Sequence, residues 1–81
     1  MKANIKETED NILNYLYKNK ESSPQSLTKI RVALNLSDNK EHIRTLKTCL
    51  EELTKKGFVK KQADRGNYKI DTKGIENIEL K

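Results

Sequence analysis

The sequence predicts a mainly helical α+β domain of three helices, a two-stranded hairpin and a short closing helix. Three observations predict it. Apolar residues recur at helical spacing in three separate stretches, and a Thr, Ser or Asn able to cap free backbone N–H groups precedes each. After Gly57 the period changes, and Phe58-Val59 and Tyr68-Lys69-Ile70 flank the turn Ala63-Asp64-Arg65-Gly66 in a hairpin pattern. The chain has 81 residues, 33% of them hydrophobic, which suits one compact core.

Residues 1–7 are polar and read as loose, with Ile5 as an apolar lid. The first helix is expected to start at Thr8, where Glu9 and Asp10 suit the positive end of the helix dipole. Ile12, Leu13 and Leu16 form its buried stripe, with Tyr15 or Tyr17 at the margin, and it ends near Asn19 or Lys20. Ser22-Ser23-Pro24 marks a second start, with Ser23 as the cap and Pro24 in the first turn, where a missing N–H is harmless. Leu27, Ile30, Ala33 and Leu34 carry that helix to about Asn35. Ala33 is small enough for close helix approach, and Leu36 plugs the following corner.

The third helix organises the rest. Ser37, Asp38 or Asn39 caps it, and Ile43, Leu46, Leu50 and Leu53 lie on one stripe. At about 100° per residue the opposite face carries Glu41, Arg44, Thr48 and Lys55, with Thr45 and Lys47 on its flanks. Gly57 ends the helix in the left-handed region. In the hairpin, strands at 58–62 and 67–71 turn Phe58, Val59, Tyr68 and Ile70 inward and the lysines and Arg65 outward. Thr72 then caps a last helix carrying Ile75, Ile78 and Leu80.

The charge is localised. Residues 40–69 hold nine Lys/Arg against four Asp/Glu, and that difference of +5 equals the net charge of the whole chain. A basic stripe confined to one helix and the hairpin after it is the electrostatic footprint of a polyanion partner.

Three helices followed by a basic hairpin is the winged helix-turn-helix order, and two motifs strengthen the likeness. Leu50-Glu51-Glu52-Leu53-Thr54-Lys55-Lys56-Gly57-Phe58-Val59 resembles the "LxxLxxxGLV" passage from recognition helix to wing in small prokaryotic, archaeal-type winged-helix transcriptional regulators. Tyr68-Lys69-Ile70-Asp71-Thr72-Lys73-Gly74 resembles the "YxLTxKG" segment that closes the wing in that family. The resemblance covers residues 8–80 and treats 1–81 as a single winged-helix DNA-binding domain. The chain also departs from the family pattern. The link between Leu36 and Thr45 is longer than usual, so either the recognition helix starts early, near Asn39, or a longer loop precedes it. Asp71 also stands where an apolar residue or Thr is usual.

The resemblance implies double-stranded DNA as partner, with a recognition helix of about 39–56 in the major groove and a wing of about 58–71 on the backbone or minor groove. On that footing the helical wheel assigns roles. Arg44 can make paired hydrogen bonds to guanine, and Thr45 and Thr48 can meet bases or a thymine methyl. Lys40 and Lys47 hold phosphates on either side, Lys60, Lys61 and Lys69 hold phosphates along the hairpin, and Arg65 enters a narrow minor groove. Lys55, Lys56 and Lys73 read as ordinary surface charge. Two copies on a palindrome are the usual route to high affinity, and Tyr17, Ile75, Ile78 and Leu80 are the expected homodimer contacts.

Other chemistry finds little support in the sequence. His42 lacks partners at ligand spacing and reads as a packing or phosphate-contact residue. Cys49, the single cysteine, reads as a semi-buried apolar residue and excludes an internal disulfide or CxxC zinc site. Glu51 and Glu52 point about 100° apart on a helix and form no catalytic pair. Tyr15, Tyr17 and Tyr68 read as core edge. No nucleophile–base set, phosphate loop, metal cluster, cofactor site or small-molecule pocket is evident, so catalysis is not expected. No apolar run approaches the roughly 20 residues of a membrane span, and the N-terminal stretch is not a signal peptide, so a cytoplasmic, nucleoid-associated location is expected. Two alternatives remain beside the DNA-binding regulator: a winged-helix protein–protein module of a transcription or replication assembly, and a nonspecific nucleoid-associated protein.

Overall fold

Four helices and one antiparallel hairpin make up residues 5–62 and 66–80, the part of the chain that the computed structural model describes. The order is α1 (Ile5–Lys18), α2 (Leu27–Ala33), α3 (Lys40–Lys55), β1 (Val59–Lys61), β2 (Tyr68–Ile70) and α4 (Thr72–Glu79). The architecture is mainly helical with a two-stranded sheet, as the sequence predicts at the level of an α+β domain. None of the described helices is long and apolar enough to cross a membrane.

The helix ends show where local sequence rules held and where tertiary structure overrode them. α1 is already helical at Ile5, ahead of Thr8, and Ile5 is exposed, not a lid. Lys6 and Glu7 are good helix formers, and Lys6 pairs with Asp10 at 3.3 Å one turn on, so the helix continues back past Thr8. α2 begins at Leu27, not Pro24, and its cap is Ser26, whose Oγ accepts the Lys29 N–H at 3.1 Å. The cause lies in the sheet. Gln25 exchanges two backbone hydrogen bonds with Tyr68, at 2.7 and 2.8 Å, which holds Pro24-Gln25 extended against the outer edge of β2. The buried Gln25 side chain accepts the Tyr15 hydroxyl at 2.7 Å and donates to the Ser23 carbonyl at 2.7 Å, so none of its amide goes unsatisfied.

α2 and α3 end in the same way. After α2, Asn35 takes φ +58°, with Leu36 N–H bonded to the Arg31 carbonyl and Asn35 N–H to the Val32 carbonyl. After α3, Gly57 takes φ +81°, with Phe58 N–H bonded to the Leu53 carbonyl and Gly57 N–H to the Thr54 carbonyl. Both are Schellman turns, which satisfy the last carbonyls and reverse the chain sharply. Asn39 caps α3 by accepting the His42 N–H at 2.8 Å, and its own amide donates to Ser37 Oγ, which also meets His42 Nδ1 at 3.0 Å. This polar knot resolves the long link after Leu36: the helix starts early, at Lys40.

α3 carries the middle of the core. Leu46, Cys49, Leu50 and Leu53 are buried against Ile12, Leu13 and Leu16 of α1, Ile30 of α2 and Val59, Tyr68 and Ile70 of the hairpin. Leu36 packs at the corner as expected, whereas Ala33 is exposed and sets no close helix approach. The strands are shorter than the sequence suggests, with register Val59↔Ile70, Lys60↔Lys69 and Lys61↔Tyr68. Asp71, not Thr72, caps α4, its carboxylate accepting the Thr72 N–H at 2.7 Å. Its departure from the family pattern therefore has a local use. α4 then lies directly on the hairpin, because Gly74 presents bare backbone to it. A Cβ at Gly74 would overlap the Phe58 carbonyl oxygen and come within 2.7 Å of Ile70 Cγ1.

The residues expected as exposed dimer contacts are mostly engaged inside the chain. Ile75, Ile78 and Tyr17 pack against the core, and the Tyr17 hydroxyl donates to Glu79 Oε2 at 2.8 Å, tying α1 to α4. That hydrogen bond, followed by burial and the carboxylate charge, holds the Tyr17 phenol above its ordinary value. Leu80 alone of the four is freely exposed, at 84%.

Candidate nucleic-acid interface

The outer face of α3 is set by which of its residues the core takes. Cys49 is fully buried and Ile43 is only half-buried, so the core stripe is turned by roughly 30° from the expected Ile43/Leu46/Leu50/Leu53 line at about 100° per residue. The exposed face turns with it and is centred on Arg44. Lys40, Ile43, Arg44, Lys47, Thr48 and Glu51 together line one open depression of about 410 Å³ along the helix. Lys40, Arg44, Lys47 and Thr48 are thus brought together as expected.

Thr45 is not. It is half-buried on the flank shared with Cys49 and Lys56. Both of those reach toward α1: Cys49 Sγ lies 3.9 Å from the Ile5 carbonyl, and Lys56 Nζ lies 3.5 Å from Glu9 Oε1. A base contact by Thr45 therefore does not fit the geometry of this face. Lys56, expected as a plain surface charge, instead pairs with a nearly buried carboxylate. Ile43 and Glu51 join the depression unexpectedly, and the signal that would have found them is Cys49. Counted as core instead of margin, it rotates the wheel to their side.

Lys40, Arg44 and Lys47 are exposed and take no part in a side-chain hydrogen bond or ion pair among the described residues. Lys40 is also the first residue of α3, at the positive end of the helix dipole, where a cation is unfavourable by roughly 0.3–1 kcal/mol.

The hairpin cations divide. Lys60 and Lys69 are cross-strand partners on one face, while Lys61 shares the other face with Tyr68, its Nζ 5.9 Å from the ring centroid. Lys60 is exposed and unpaired among the described residues. Lys69 donates to the Ser22 carbonyl at 3.1 Å and keeps its remaining donors for solvent or a ligand. The outward row expected for all three is thus split over two faces. Arg65, expected at the wing tip, lies outside the described residues.

Nothing among the described residues assembles three or more His, Cys, Asp or Glu side chains for a metal ion. Burial, and then the charge of Glu9, pushes the Cys49 thiol up from 9.0 to about 11, opposite to the shift of a reactive cysteine. Two results follow. At neutral pH a thiol reagent should modify the native protein far more slowly than the urea-unfolded chain. Between about pH 9 and 11 the unfolded chain loses this proton while the folded one keeps it, so stability should fall as pH rises through that window. The decline should be shallower in a Cys49→Ala variant, as read by thermal melts; equal slopes would contradict the assignment.

No protein-family model, curated protein or solved structure matches this chain.

Proposed function

We propose that the chain is a winged helix-turn-helix domain that binds double-stranded DNA sequence-specifically as a transcriptional regulator. α3 enters the major groove, and the hairpin that follows at 58–71 acts as the wing against the backbone or minor groove. The observation that carries this reading is the Arg44-centred face of α3, whose cations have no partner among the described residues and whose opposite side is sealed into the core. The element order supports it. So does Gln25, which fastens the segment before α2 to β2 and thereby links the hairpin to the helices.

In this reading Arg44 and Thr48 meet base edges while Lys40, Lys47, Lys60 and Lys69 meet phosphates. One such domain covers little DNA, so two copies on a palindrome supply the rest. With Ile75 and Ile78 packed partly against the core, Leu80 is the one of the four expected contacts left fully exposed for a second copy.

The test is a fluorescence-anisotropy titration of the protein with a randomised duplex pool, followed by selection, at low and physiological salt. Enrichment of a short palindrome that persists at physiological salt supports the regulator. Uniform binding that vanishes with salt indicates a nonspecific nucleoid protein, and no binding at low salt indicates a protein–protein module.

A further inference from the structure

The basic face of α3 contains one residue that electrostatics alone does not explain. Glu51 lies in the same depression as Lys40, Arg44, Lys47 and Thr48, and it is exposed. Its carboxylate forms no ion pair or hydrogen bond among the described residues, although two lysines and an arginine share its face. Set against phosphates, such a carboxylate only repels. Against base edges its role is different. An ionised carboxylate accepts hydrogen bonds and donates none. Guanine O6 and N7 and thymine O4 are acceptors and repel it, and adenine offers its N6 donor beside the N7 acceptor. Cytosine N4 is the major-groove donor with no acceptor next to it on the same base.

We propose that Glu51 reads cytosine N4 in the major groove, making it a specificity-determining residue alongside Arg44. The proposal rests on the DNA reading given above and names a feature of the sequence that is bound. Arg44 and Glu51 are seven residues apart in an unbroken helix, which is about 10.5 Å of rise and about 20° short of two full turns. A helix that follows the inclined major groove reads bases about two to three steps apart over this distance, so the cytosine lies about two to three base pairs from the guanine that Arg44 meets. The donor of Arg44 and the acceptor of Glu51 thus stand on one line along the helix, selecting bases of opposite hydrogen-bonding character.

Selection from a randomised duplex pool by the full chain, Glu51→Ala and Glu51→Gln, each followed by competition titration at physiological salt, tests this. Glu51 is exposed, so thermal melts of the variants should match that of the parent. The parent should enrich cytosine at one position about two to three base pairs from an Arg44-dependent guanine. Glu51→Ala should lose discrimination at that position alone, by roughly five- to hundredfold, while gaining affinity for unrelated DNA. Glu51→Gln should move the preference there toward adenine. If both variants tighten on every duplex and the enriched sequence stays the same, Glu51 is surface charge and the proposal is overturned while the DNA reading stands. A parent chain that binds no duplex at low salt overturns the DNA reading, and the proposal with it.

Discussion

Gly74→Ala is expected to destabilise the domain by about 1–3 kcal/mol, lowering the melting temperature by on the order of 5–20 °C. The sign is the informative part. Gly74 sits inside α4, where alanine is favoured over glycine by about 1 kcal/mol in an open helix. An added Cβ here overlaps the Phe58 carbonyl oxygen and comes within 2.7 Å of Ile70 Cγ1. The first of these is backbone, held by the Asp71 N–H bond to Phe58 O at 2.9 Å, and cannot swing aside as a side chain can. α4 must therefore lift from the hairpin, which strains the Asp71 cap and the Tyr17–Glu79 tie. A thermal melt decides: an unchanged or raised midpoint would mean that α4 does not lie on the hairpin as described.

Arg44→Ala is expected to leave folding intact and to weaken binding to the selected duplex by roughly five- to hundredfold, the range for loss of one bidentate base contact. Arg44 is exposed, has no partner among the described residues, and faces directly away from the buried stripe of Leu46, Cys49, Leu50 and Leu53. The loss should concentrate on one base pair of the site. Lys47→Ala offers the contrast: it should weaken all duplexes alike and lower the salt slope by about one. Titrations of both variants against selected and unrelated duplexes separate the two roles. If Arg44→Ala lowered affinity uniformly, Arg44 would be a phosphate contact and base reading would have to reside elsewhere on the face.

Much of this architecture was legible in sequence because local rules dominate it. Gly57 marked the end of α3, Asn39 was among the caps expected for it, and Val59, Tyr68 and Ile70 marked the inward hairpin face. The misses have tertiary causes. Pro24 and Ser23 read as a helix start, but the sheet claims Gln25 and delays α2 to Leu27. Thr72 read as a cap, but Asp71 precedes it with a better acceptor. For the interface the decisive residue was Cys49. A small side chain at the margin of a stripe can fall either way, and only its burial against α1 shows that Thr45 leaves the outer face while Ile43 and Glu51 join it. Inward packing of Ile75 and Ile78 was equally invisible, because it depends on how closely Gly74 lets α4 approach.

The most direct measurement is a map of backbone amide chemical shifts as the isotope-labelled protein is titrated with the enriched duplex at physiological salt. The account predicts that the largest changes fall on Lys40, Arg44, Lys47, Thr48 and Glu51 of α3, with a second group on the hairpin at Lys60 and Lys69. α1 and α4 should change little except around Leu80, where a second copy would dock. Changes centred on α1 and α4, with the outer face of α3 unmoved, would contradict it.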